Sequence, residues 1–159
     1  MIRGVTKSTR WRAATVALLL VVFATATTAC DTRENAQIGA CQIRPGSMCN
    51  GNYMKGAHMA GAGLFTAQLD HADLSDVDLR GADLSGANLR AATLHGARLA
   101  GADLSYTDFS QADLTDVDLR GADLTAADLT GAKVTAAQLA TVTLCRTVLP
   151  DGSTAAPDC

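Results

Sequence analysis

Apolar and polar positions along the middle of the chain alternate with a period that neither regular element uses. A large apolar residue returns at every fifth position: Leu64, Leu69, Leu74, Leu79, Leu84, Leu89, Leu94, Leu99, Leu104, Phe109, Leu114, Leu119, Leu124, Leu129, Val134, Leu139 and Leu144. Two residues before each stands a small one, mostly alanine, as at Ala62, Ala67, Ala72, Ala82 and Ala102, with Val77 and Thr107 as variants. The residue between them is polar, and the typical unit reads Ala-Asp-Leu-Ser-Gly. Internal repetition of this kind governs the architecture before any other reading.

A helix cannot use this spacing. At about 100° per residue, five residues leave successive leucines roughly 140° apart around the cylinder, so no apolar stripe forms. A straight strand fails too, because an odd spacing sends alternate leucines to opposite faces. The remaining solution is a chain that turns one corner per unit and sends a large and a small side chain inward from each short side. Four corners close a square coil of about twenty residues, and coils stacked at about 4.8 Å bury a continuous apolar column.

The Ala-(Asp/Asn)-Leu-X-X run resembles the pentapeptide-repeat family, and about nineteen units can be set from Met54 to Leu144, some three-fifths of the chain. The resemblance implies an all-β fold, a right-handed quadrilateral β-helix, here of about five coils; the N-terminal residues themselves lead to the expectation of a signal helix before it. The match thins at its start, where Met54 and Met59 hold the leucine slot. The segment Ala72 to Leu84 recurs almost letter for letter as Ala112 to Leu124. That shift is two full coils, so the copied residues return to the same faces. Leu69, Leu89, Phe109 and Leu129 then stack on one wall, and Leu84, Leu104 and Leu124 on another. Glycines at the end of the unit, such as Gly81 and Gly121, suit corners that need positive φ. They do not form a phosphate-binding loop, which requires a strand–turn–helix setting.

Residues 1–29 read as a signal peptide: Arg3, Lys7, Arg10 and Arg12 form a basic leader, and Ala13 to Phe23 an apolar core too short for the roughly twenty residues of a membrane span. Thr27-Thr28-Ala29-Cys30 resembles a bacterial lipobox, which implies lipidation of Cys30, although Thr27 replaces the usual leucine. Five cysteines in an exported chain leave one over, and removing Cys30 leaves an even four. The domain reading is signal peptide 1–29, lipid-anchor linker and N-terminal cap 30–48, β-helix 49–145, and C-terminal cap and tail 146–159. Cys41 and Cys49 flank the start of the solenoid, Cys145 and Cys159 its end. Local pairs Cys41–Cys49 and Cys145–Cys159 would pin a cap over each open edge, and the other pairings stay open.

Charge sharpens the surface. From Cys30 onward the chain holds 9 Lys/Arg against all 16 Asp/Glu, 9 − 16 = −7, whereas the whole chain is −3. The acidity falls in the slot before each leucine. Asp83, Asp103 and Asp123 should form one outward ladder, with Asp108 and Asp128 continuing a second below Asn88. A third column, Asp78, Arg98 and Asp118, places a cation between two anions. Some pentapeptide-repeat relatives are acidic rods that imitate DNA and bind type II topoisomerases. The export signal and the cysteine-bearing tail oppose that reading here, which would apply if translation began at Met48 or Met54.

Nothing in the chain composes a catalytic set. His58, His71 and His95 fall in different columns, the cysteines lack zinc spacing, and outward residues such as Ser75, Ser85 and Ser105 belong to a repeated slot and not to a Ser-His-Asp set. No catalytic residue, metal or cofactor is expected. The expected role is a rigid binding or scaffold module at the cell envelope, held to the membrane through Cys30, facing an unidentified envelope protein and not nucleic acid, with its oligomeric state open.

Overall fold

The computed structural model describes residues 36–38, 41–43, 54–155 and 159. The expected signal segment, the lipidation residue Cys30 and Cys49, the expected partner of Cys41, lie outside the described residues. Within the stretch expected as a linker, β1 (Ala36–Ile38) and β2 (Cys41–Ile43) pair antiparallel, Ala36 opposite Ile43.

From Met54 the chain forms a right-handed β-helix. Its rungs are parallel bridges between residues twenty apart, such as Asp83↔Asp103 and Asp103↔Asp123, repeated on all four sides. Each rung uses two bonds of opposite sense: Leu84 N–H donates to Asp103 O at 2.8 Å, and Asp103 N–H donates back to Ala82 O at 3.0 Å. Between sides the chain makes a four-residue turn. Ala87 N–H donates to Leu84 O at 2.9 Å while Gly86, at φ +65°, donates to Ser105 O in the next coil at 2.8 Å. Apart from the carbonyl of Gly86, every backbone group from Ala82 to Gly86 takes part in a hydrogen bond, which is what lets so short a side be stable.

The core is the apolar register itself. Met54, Met59 and every residue of the leucine slot from Leu64 to Leu129 are at most 2% exposed. Each such leucine contributes roughly 1.5–3 kcal/mol. Phe109 is fully buried in line with Leu89 and Leu129. Thr107, in an alanine slot, satisfies its buried hydroxyl by donating to Leu84 O at 2.9 Å, and Thr147 does the same to Leu124 O at 2.7 Å, forty residues on.

Two departures from the expected solenoid occur near its end. The first is a helical turn, α1 (Ala136–Leu139), where the rung beyond Asp118 in the Asp78–Arg98–Asp118 column would lie. Thr135 and Gln138 form a reciprocal capping box at its start, which favours a helix over another β corner. Leu139 therefore leaves the fully buried register and is half-buried, as are Val134 and Leu144. The lost rung is replaced by a side chain: Gln138 Nε2 donates to Val117 O at 3.0 Å and to Leu114 O at 2.9 Å. The second departure corrects the solenoid's end at 145. Asp128↔Val148 is a regular rung, and Gly131 N–H donates to Pro150 O at 2.9 Å, so the coil runs on through Leu149. There β3 (Thr147–Val148) pairs antiparallel with β4 (Thr154–Ala155) of the tail.

Candidate functional site

With the interior filled by side chains, the chemistry available is that of the four outer faces and their corners. The slot before each leucine points outward, and its aspartate is fixed locally. Asp83 Oδ1 accepts from Ser85 N–H at 3.0 Å and from Ser85 Oγ at 2.6 Å. The same pair of bonds recurs at Asp103–Ser105, Asp113–Thr115, Asp123–Thr125 and Asp128–Thr130. Aspartate suits the slot because its short carboxylate reaches the backbone two residues on. In each of these pairs one carboxylate oxygen, Oδ1, steadies the corner.

Where the residue two on is arginine, the same geometry makes a forked ion pair. Arg80 donates from Nε to Asp78 Oδ1 at 2.8 Å and from Nη2 to Oδ2 at 2.7 Å, and Arg120 grips Asp118 likewise, both at 2.8 Å. These forks add to the compensation expected from Arg98. Arg98 does stand between the two aspartates in the ladder and adds its field, but the hydrogen-bonded partners come from the following corner. The fork from Arg80 holds Asp78 at about 2, well below the usual carboxylate range, and Arg120 lowers Asp118 in the same way. Asp113 is also held at about 2, by Thr115 first and then by Lys133, whose Nζ lies 2.9 Å from Oδ2.

The two expected acidic columns are present as bridged rungs, Asp83–Asp103–Asp123 and Asn88–Asp108–Asp128, on adjacent faces. Among the described residues none of these five aspartates forms an ion pair; the cations go to Asp76, Asp78, Asp113 and Asp118. The corner between the two faces carries the exposed aromatics Phe65 (43%) and Tyr106 (66%). The periodicity gave no role to either, since both sit in turn slots; an aromatic at 65 where the slot otherwise holds Ser85, Ser105 and Thr125, and one at 106 where it holds Thr66, Gly86 and Ala126, was the available signal.

The histidines stay apart, as their columns require. His95 Nδ1 lies 4.0 Å from Asp116 Oδ2 at an exposed corner, and Lys55 stands 3.9 Å from Asp76 two coils earlier. No group of three or more His, Cys, Asp or Glu able to hold a metal occurs among the described residues. The recess sequence reasoning missed flanks α1. One open hollow of about 600 Å³ is lined by Asp116, Val117, Asp118, Lys133 and Gln138, and a smaller one of about 230 Å³ by Leu119, Arg120, Ala137 and Thr141. At the exit Cys145 and Cys159 form a disulfide with Cα atoms 5.7 Å apart. No described helix is long and apolar enough to cross a membrane.

A family model described as pentapeptide repeats matches residues 67–105, 94–131 and 102–139. Among solved structures, a pentapeptide repeat protein from the thylakoid lumen of Arabidopsis thaliana is 32% identical, with 55% of this chain and 68% of that one covered and a TM-score of 0.50. A pentapeptide repeat protein from Nostoc PCC 7120 is 30% identical, with 60% and 78% covered and a TM-score of 0.52. Full-length QnrB1, a plasmid-mediated fluoroquinolone resistance protein, is 14% identical over 64% of this chain and 72% of that one, at a TM-score of 0.23. No curated protein matches the chain.

Proposed function

The chain belongs to the pentapeptide-repeat family, and from that premise we propose that it works as a rigid, non-catalytic binding or scaffold module tethered at the cell envelope. The observation that carries the reading is the division of the solenoid into a side-chain-filled interior and flat, hydrogen-bonded outer faces. A filled interior offers a substrate no enclosed site, whereas faces with locked aspartates present a fixed pattern to a partner at little entropic cost. The Thr27-Thr28-Ala29-Cys30 run supports lipidation at Cys30 after removal of 1–29, with 30–48 as the linker and about five coils held beyond it. A lipidated cysteine bearing several acyl chains is a stable anchor, where one chain alone is marginal. One relative is a thylakoid lumen protein, which supports an exported solenoid.

The test is metabolic labelling with palmitate followed by detergent phase partition. Wild-type chain should take up label and enter the detergent phase, and Cys30→Ser should do neither. An unlabelled wild-type chain in the aqueous phase overturns the tether. The outward acidic columns favour a second reading, a DNA-mimicking inhibitor of a type II topoisomerase in an unexported chain. Recovery in the cytosol together with inhibition of gyrase supercoiling supports that reading, and absence of inhibition removes it.

A further inference from the structure

The last coil has no coil above it, and the chain closes that edge with its own tail. In inner coils the leucine-slot amide donates upward, as Leu129 N–H does to Val148 O at 2.8 Å. Leu149 has no further coil, and its N–H donates instead to Ser153 O at 2.7 Å. The tail is bent into place by Gly152 N–H donating to Leu149 O at 2.9 Å and by Asp151, whose Oδ1 accepts from Ser153 N–H at 2.9 Å and Oγ at 2.6 Å. Strand β4 then covers β3 in antiparallel register, Thr147 opposite Ala155 and Val148 opposite Thr154. The Cys145–Cys159 disulfide ties the far end of the tail to the corner just before β3. Elsewhere in the last coil the apolar slots stay partly exposed, among them Leu139, Val142 and Leu144.

We propose that the tail is an edge cover latched by this disulfide, and that opening the latch lets the edge of β3 pair with β3 of a second copy. The second copy is the fitting occupant for two reasons. The edge already accepts an antiparallel strand, and a two-fold axis through β3 supplies one in the same sense from an identical chain. The half-exposed apolar slots at the end of each copy would then face each other and leave water. An uncovered edge of this kind is a template for pairing. Opening is a two-electron step. A dithiol reductant gives up two electrons and two protons, the Cys145–Cys159 S–S bond breaks, two thiols form, and the reductant's sulfurs join as a disulfide. In a chain that passes from a reducing to an oxidising compartment, the latch shuts on arrival. The inference goes beyond the tether and does not depend on it.

The purified full chain tests it by sedimentation equilibrium at matched concentration. Cys145→Ser/Cys159→Ser, without reductant so that the other cysteines are untouched, should sediment at twice the mass of the oxidised wild type. Adding Val148→Lys, a charge on the pairing edge, should halve that mass again. Equal masses for the double variant and the wild type, or a doubled mass that Val148→Lys leaves unchanged, overturns the proposal. Should the double variant fail to fold by circular dichroism, wild-type chain in excess dithiothreitol is compared with Val148→Lys under the same reductant, with the same two outcomes deciding.

Discussion

Gly81 holds φ at +64° with nothing within 4 Å of where a Cβ would stand, so the only penalty for a side chain there is backbone strain. Gly81→Ala and Gly121→Ala should each cost about 1 kcal/mol in urea unfolding, with unchanged m-values. The register marked these corners; it did not reveal that Thr66, His71, Asp76, Ala91, Tyr106, Gln111 and Asp116 hold the same left-handed conformation. The turn is imposed by cross-coil bonds, such as Tyr106 N–H to Thr125 O at 2.9 Å, whatever residue occupies it. Charge pairing was only half legible for a similar reason. Column counting aligned Arg98 with Asp78 but could not weigh that against the two-residue reach of Arg80. Because the fork holds Asp78 at about 2, below its unfolded value of roughly 3.9, its stabilisation is complete above pH 4 and is lost as pH falls through about 2. Arg80→Gln should move that acid loss upward in pH, read as melting temperature from pH 5 to 2. Superimposable profiles would show that the fork contributes nothing.

At the scale of a side or a turn, burial separates the middle of the solenoid from its end. Leu104 is fully buried between Leu84 and Leu124, while Leu144 has the same spacing and is half-buried. Leu104→Ala should cost about 2–5 kcal/mol and Leu144→Ala less than half as much. Helix α1 was hidden because Val134, Leu139 and Leu144 keep the five-residue interval straight through it. The contrary signal was Thr135 three residues before Gln138, a helix start that competes with a β corner. Gln138 also carries the rung that the helix removes. Gln138→Leu should cost about 1–3 kcal/mol by leaving Val117 O without its donor. Amide exchange would quicken around Val117 and Leu119 and stay unchanged near Leu84. The continuation through Leu149 was within reach, since Leu149 falls five after Leu144. Thr147-Val148-Leu149 lacks the Ala-Asp-Leu lettering, and the buried hydroxyl of Thr147 shows that the slot asks for small size and a satisfied donor more than for alanine.

The whole molecule follows from one geometric rule, that the chain comes back on itself after twenty residues. The stacked core, the bridged aspartate columns on two faces and the open last edge are all consequences of that return. Composition supplied the acidity, and the rule turns it into columns with a direction and a spacing. What lay beyond the sequence was set by the ends, where no neighbouring coil dictates the next rung and local preferences decide. The most direct measurement places nitroxide spin labels in pairs on cysteines at otherwise outward positions. Labels replacing Asp83 and Asp103 sit on neighbouring rungs about 4.8 Å apart in the backbone and should show strong dipolar broadening. Labels replacing Asp83 and Thr93 sit on opposite faces and should show far less, although they are nearer in sequence. Broadening that follows sequence separation, stronger for 83 with 93 than for 83 with 103, would contradict the twenty-residue coil.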